Sequence, residues 1–171
     1  MMTIRAESPA DLNAIFEVNT RAFGREEEAQ LVNELRASEE FIPELSLVAV
    51  VDDQIVGHIL FSLIAIDGAT SRTSVLSLAP MAVLPEFQNQ GIGSELAREG
   101  ILRSRKLGHK VIVVVGHPAY YPRFGFVPAR PKGIQAPFQV PDEAFMVLEL
   151  VEGALKGISG TVRYPAFFDG V

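Results

Sequence analysis

Two segments of this 171-residue chain carry residue types at spacings that could do chemistry. The first is Val83-Leu84-Pro85-Glu86-Phe87-Gln88-Asn89-Gln90-Gly91-Ile92-Gly93, set between an apolar run from Val75 to Val83 and a helix-like stretch from Ser94 to Leu107. A strand-to-helix turn with two glycines gathers backbone N–H groups at a helix N-terminus, where the positive end of the helix dipole points the same way. Glycine also removes the Cβ that would hold an anion off the backbone. A phosphate or pyrophosphate is the ligand such a turn suits, although a tight turn without a ligand has the same residues. A Walker loop is excluded because no Gly-Lys-Ser/Thr occurs, and the dinucleotide fingerprint is excluded because its third glycine position is Leu96.

What remains is Q-x-x-G-x-G at Gln88, Gly91 and Gly93, with V-x-P at Val83 and Pro85. The second segment follows about thirty residues later. A run of apolar residues, Val111 to Val115, leads into Gly116-His117-Pro118-Ala119-Tyr120-Tyr121-Pro122-Arg123-Phe124-Gly125-Phe126. The first pattern resembles motif A of the GNAT superfamily of acetyl coenzyme A-dependent N-acetyltransferases. The second resembles the family's strand, tyrosine-bearing short helix and Gly-Phe ending, and its G-H-P-x-Y-Y-x-R-F-G-F wording is similar to a bacterial subgroup of that family. The resemblance spans nearly the whole chain and is most specific from Ser74 to Phe126.

The resemblance implies an α/β (α+β) fold: one domain over residues 1–171, with a mixed, mostly antiparallel sheet flanked by helices. It implies acetyl coenzyme A as co-substrate. Met81, Ala82 and Val83 would contact pantetheine, and Gln88, Asn89, Gln90, Gly91, Ile92, Gly93 and Ser94 would contact the pyrophosphate. Tyr121 matches the family tyrosine that stands near the sulfur and can protonate the departing thiolate, while Tyr120 packs. His117, where other members often carry Asn, is a second catalytic candidate as proton acceptor, with a plain capping role as its alternative. Glu28 is a weaker candidate, set against a solvated helix face at Glu26-Glu27-Glu28. Arg123 and Lys132 could reach nucleotide phosphates but read better as surface residues, and His58 and His109 read as structural. The implied acceptor is a primary amine of a small molecule or peptide. The other reading is a non-catalytic module of the same fold that binds an acyl coenzyme A. Family members are often homodimers.

Chemistry at neutral pH sets the needs of such a site. An alkylamine with a pKa near ~10.4 is only about one part in a thousand neutral. Something must therefore take a proton, and something must stabilise the oxyanion and the leaving thiolate. The chain has no cysteine, so a cysteine acyl-enzyme, a disulfide and a thiolate metal site are closed, and direct attack is favoured. Three scattered histidines without H-E-x-x-H argue against a metal site. A net charge of −6 argues against a nucleic-acid partner. No apolar run reaches the roughly 20 residues of a membrane span, and the N-terminus has no signal-peptide pattern, so a cytoplasmic location is the default.

The elements that must position these residues are legible in outline. Thr3 to Arg5 reads as a short strand. Ser8 and Pro9 mark a helix start, with Asp11 near the positive end of the dipole and Leu12, Ile15, Phe16 and Phe23 as its buried face. A second helix is expected from Glu26 to about Ser38 over Leu31, Val32 and Leu35. Strands are expected at Leu45 to Val51 and Ile55 to Ser62, turning at Asp52-Asp53-Gln54, and again from Ser74 to Val83 after a turn at Asp67-Gly68-Ala69. Pro80 marks a bulge, a splay or an edge in the last of these. The helix after the glycine turn uses Ile92, Leu96 and Ile101 as core contacts and ends at Gly108. Val111 to Val115 reads as a strand covered on both faces. A proline-rich loop from Pro128 to Pro141, a strand at Ala144 to Val151 and a last strand or tail from Gly157 complete the order.

Overall fold

The computed structural model describes all residues, Met1–Val171. The elements in chain order are β1 (Met2–Ala6), α1 (Leu12–Phe23), α2 (Glu27–Arg36), β2 (Phe41–Val51), β3 (Gln54–Asp67), β4 (Arg72–Val83), α3 (Ile92–Lys106), β5 (Val111–Val115), β6 (Val127–Pro128), β7 (Ile134–Gln135), β8 (Phe145–Glu149) and β9 (Gly160–Arg163). The strands form one mixed sheet in the order β1-β2-β3-β4-β5-β8-β6, and β9 pairs with β3 and β7. The β4–β5 and β7–β9 pairs are parallel. The β1–β2, β2–β3, β3–β9, β5–β8 and β6–β8 pairs are antiparallel, so the expected mixed, mostly antiparallel architecture is present. The chain divides into two compact units, one of Met1–Ser62, Leu78–Arg103 and Ala166–Val171, the other of Leu63–Ser77 and Ser104–Pro165.

In the first unit, a 3-10 turn, Pro9–Asp11, begins where Ser8 and Pro9 predict a helix start, and α1 follows it at Leu12. The group that secures the start is the Asp11 carboxylate, which accepts the Ser8 N–H at 2.7 Å and the Ser8 hydroxyl at 3.1 Å. Arg5 grips the same carboxylate at 2.6 and 3.1 Å, and this bond holds its pKa down to about 2. Gly24 ends the helix at φ +70°, a left-handed conformation that suits glycine. Ile15, Leu31, Val32, Leu35, Val48 and Leu60 form the core beneath α1 and α2, with Phe41, Phe167 and Phe168 packed against it. Two expectations fail here. Phe23 is 41% exposed, although it stands at helical spacing from Ile15 and Asn19, because it is the last residue of α1, just before Gly24. Glu28 is buried rather than solvated, because it lies on the α2 stripe with Leu31, Val32 and Leu35 at helical spacing.

The second unit has its own core of Ile64, Ile66, Val75, Val111, Val113, Phe145, Val147 and Val162, with Ala129, Ile134 and Leu155. β5 is covered on both faces from Val111 to Val114, but Val115 is 42% exposed, so the strand leaves its cover at its last residue. β3 runs on to Asp67, five residues past its expected end, because β9 pairs with Ala65, Ile66 and Asp67.

A buried polar chain crosses the first unit. His58 is wholly buried on β3. Asn19 Nδ2 lies 3.2 Å from His58 Nδ1, and His58 Nε2 lies 3.0 Å from Ser46 Oγ. Ser46 in turn bonds Glu7, which Arg36 holds at 2.7 and 3.0 Å. Asn19 Nδ2 also donates to the Ile15 carbonyl at 3.0 Å. One assignment satisfies every contact: Asn19 donates to Nδ1, Nε2–H donates to Ser46, and the Ser46 hydroxyl donates to Glu7. The ring must then be neutral, and burial lowers its pKa to about 4.

The sign of the linkage follows. The unfolded chain binds the His58 proton near pH ~6.5 and the native state only near 4, so stability is full above about pH 6.5 and falls as pH drops toward 4. Burial lowers the His109 pKa too, which adds slope of the same sign. The His58 share is roughly 3 kcal/mol across the window. Denaturant melts at several pH values between about 7 and 4.5 should show the unfolding free energy declining, above the range where carboxylates contribute most. A flat profile there contradicts a neutral, native-state His58.

Candidate active site

The turn from Leu84 to Gly91 belongs to the first unit, and its shape is built by its own polar groups. Leu84 N–H donates to the Val56 carbonyl at 2.9 Å, which ties the end of β4 to β3. Phe87 N–H donates to Leu84 O at 2.8 Å and Gln88 N–H to Pro85 O at 3.3 Å. The Gln88 carboxamide donates back to the Val83 carbonyl at 2.9 Å, and that of Gln90 to Glu86 O at 3.3 Å. Gln88 is thus spent on closing the loop. Arg21 at the end of α1 clamps Glu86 through two contacts of 2.9 Å. Asn89 at φ +63° and Gly91 at φ +86° reverse the chain. Asparagine is among the few side chains that accept that region, and glycine accepts it without strain.

The Gly91 carbonyl accepts the first helical bond, from Glu95 N–H at 3.0 Å. The amides of Ile92 and Gly93 precede that bond and have no helical carbonyl to donate to. Asn89, Gln90 and Gly91 are exposed, and no Lys or Arg stands between Leu84 and Ser94. The turn itself offers an anion backbone amides and the helix dipole.

Two glycines set where that helix end lies. A methyl group on Gly100 of α3 would stand 2.1 Å from Phe61 Cε1, and one on Gly57 of β3 would stand 3.0 Å from Leu96 Cδ1 and 3.2 Å from Ile92 Cγ2. Phe61 is wholly buried, so its ring has no room to yield. α3 therefore lies close against β3, as the absence of these two side chains allows.

The preceding strand offers a free edge. Register between β4 and β5 is limited to Leu76↔Ile112 and Ser77↔Val113, while β4 continues to Val83. From Leu78 onward that side of β4, including Met81, Ala82 and Val83, has no strand partner.

His117 and Tyr121 belong to the second unit. The His117 carbonyl accepts the amides of Tyr120 at 3.0 Å and Tyr121 at 3.3 Å, so the backbone does the capping and the exposed imidazole is not needed for it. Tyr121 opens a 3-10 turn, Tyr121–Phe124, that ends at Gly125 in the left-handed region. Its ring meets Tyr120 edge-on at 5.1 Å and Phe126 at 5.7 Å. It is 8% exposed, and burial raises its pKa to about 12. Arg123 is turned inward on the motif: it donates to Tyr120 O at 2.9 Å and lies 4.4 Å over the Tyr120 ring. Lys132 lies 3.6 Å from Glu149. Glu28 carries the guanidinium of Arg25 at 3.0 and 2.5 Å.

Sequence reasoning reached both segments but missed the close packing at Gly57 and Gly100, the Arg21–Glu86 clamp and the inward turn of Glu28. Only the last had a signal in the sequence, the helical spacing of Glu28 with Leu31, Val32 and Leu35.

Comparison with known proteins places this geometry. The model of the acetyltransferase (GNAT) family matches residues 12–126. The chain is 43% identical over 164 residues to the uncharacterized N-acetyltransferase YjhQ of Escherichia coli K12, covering 94% of this chain and 91% of that one. It is 34% identical over 169 residues to YhbS of the same organism, another uncharacterized N-acetyltransferase, covering 98% and 99%. The crystal structure of Escherichia coli YhbS in complex with CoA superposes with a TM-score of 0.89 at 32% identity, covering 98% of this chain and 91% of that one. A GNAT acetyltransferase from Brucella melitensis in complex with acetyl-CoA gives 0.80 at 34% identity, covering 99% of both chains. The chain belongs to the GNAT acetyltransferase family.

Proposed function

We propose that this chain is an N-acetyltransferase that moves acetyl from acetyl coenzyme A to a primary amine of a small molecule or peptide by direct attack in a ternary complex. The observation that carries this reading is the donor-rich turn at the start of α3, in a chain similar over nearly its full length to proteins crystallised with CoA and acetyl-CoA. The turn from Gln88 to Ser94 contacts the pyrophosphate, with the amides of Ile92 and Gly93 as donors and Gln88, whose own N–H donates to Pro85 O, shaping the loop. The free edge of β4 at Met81, Ala82 and Val83 offers backbone donors and acceptors to the pantetheine amides.

In the reaction the amine nitrogen forms a bond to the acetyl carbon, the carbon–sulfur bond breaks, the amine loses a proton and the sulfur leaves as thiolate. Tyr121 serves the thiolate. With its pKa near 12 the phenol stays protonated throughout the working range, so it is always a donor. A free thiol titrates near ~8.5, so full transfer from Tyr121 in water is uphill by roughly 5 kcal/mol. A hydrogen bond to the thiolate that shortens as charge develops asks less and still stabilises the transition state. His117 is the proton acceptor on the amine side, directly or through water, because its imidazole is exposed and its turn is capped by backbone.

Free-thiol release from acetyl coenzyme A over a panel of primary amines tests the whole reading against a binding module, which would bind and not turn over. Acetyl coenzyme A at about 100 times its dissociation constant should stabilise the fold by roughly 2.7 kcal/mol. Gly91→Asp adds a side chain at positive φ and a negative charge beside the pyrophosphate, and should remove most of that melting shift. An unchanged shift moves the site elsewhere. Tyr121→Phe should lower turnover about 10²-fold with little change in coenzyme affinity. For His117, wild type and His117→Gln are compared with one acceptor from about pH 5.5 to about 9. The variant should turn over about 10²-fold more slowly across that range; superimposable profiles would exclude His117 as the base. Neither enzyme should show an alkaline decline from Tyr121 in that range, because its phenol ionises only near 12.

A further inference from the structure

Gly116 stands five residues before Tyr121, and it is a glycine for a reason other than backbone freedom. Its φ is not among the positive values that nine other glycines adopt, so its backbone conformation is open to any residue. What a side chain lacks there is space. A methyl group on Gly116 would stand 2.3 Å from Tyr121 Cε2, 2.9 Å from Cδ2 and 3.4 Å from Cζ. The turn closed by the His117 carbonyl folds the Tyr121 ring back onto the Gly116 Cα.

Neither side can yield. Gly116 N–H donates to the Ala144 carbonyl at 2.9 Å, which pins its backbone just before the start of β8. The Tyr121 ring is walled by Tyr120 at 5.1 Å, Phe126 at 5.7 Å and Phe124 at 6.3 Å. Tyr120 is held from outside by the Arg123 guanidinium. The aromatic wall closes three approaches, and the bare Cα of Gly116 is the fourth.

We infer that Gly116 is a positioning residue: by leaving its side-chain volume empty it seats the Tyr121 ring, and so sets where the phenol hydroxyl stands for the reaction. The inference rests on the proposed role of Tyr121. A displacement of about an ångström in a reacting group can cost on the order of 10²-fold in rate, so one methyl group is enough to matter. Gly116 itself touches no reacting atom.

Two double-mutant cycles test it. The first reads turnover, as thiol release from acetyl coenzyme A with the best amine of the panel and with water alone as acceptor, in wild type, Gly116→Ala, Tyr121→Phe and the double variant. Gly116→Ala should lower kcat about tenfold or more, with KM for acetyl coenzyme A within about twofold of wild type, and should add little once the hydroxyl is gone. Wild-type turnover in Gly116→Ala, or the same loss in the Tyr121→Phe background, overturns the inference. Wild-type turnover in Tyr121→Phe instead sinks the role of Tyr121, and the two failures are told apart by which single variant is silent. The second cycle reads stability and needs no activity: Gly116→Ala should destabilise the wild type but be nearly neutral with Tyr121→Ala, where the ring is absent. If Gly116→Ala alone fails to fold, recovery of folding in the double variant carries the inference, and failure of both overturns it.

Discussion

Amides in the first turn of an α-helix have no helical carbonyl to bond, and this constraint organises the first half of the molecule. At the start of α3 the amides of Ile92 and Gly93 follow an exposed turn, Asn89-Gln90-Gly91. The loop before them is closed by its own carboxamides, from Gln88 to Val83 and from Gln90 to Glu86, so that its polar side chains brace the turn. Gly57 and Gly100 then let α3 sit close against β3, which fixes where the amides stand.

The same unit keeps a line of buried polar groups from Asn19 through His58 and Ser46 to Glu7 and Arg36. Its order of donors and acceptors admits a single direction. It joins α1, β3, β2 and α2 to the segment after β1, and each link ties residues distant in the chain. A buried polar group without its partner costs about 1–3 kcal/mol, so the network also specifies how these elements meet.

In the second unit burial acts on chemistry. The wall around Tyr121 raises its pKa to about 12, which keeps the hydroxyl a donor and makes it a poor full proton source. The reactivity proposed for Tyr121 is therefore that of a hydrogen bond placed where charge develops, and placement matters more than acidity. His117, proposed as the proton acceptor, is exposed.

The sequence by itself determined the local devices. The two-glycine turn, the Tyr121 turn ending at Gly125, the helical start at Ser8-Pro9 and the order of the longer strands and helices could be read, because backbone preference acts over a few neighbouring residues, whereas the two-residue strands β6 and β7 could not. Lack of cysteine closed one mechanism outright. Tertiary structure decided what those residues touch. Glu28 became a buried ion-pair carboxylate on the inward stripe of α2, and Phe23 became exposed at the last residue of α1. Val115 left its cover because the strand ends there. β4 lost its partner after Ser77, and the Tyr121 ring lies where a side chain on Gly116 would stand. Burial and contact depend on atoms brought together from remote parts of the chain, such as Asn19 with His58 or Arg21 with Glu86, and no short stretch of sequence contains both members of such a pair.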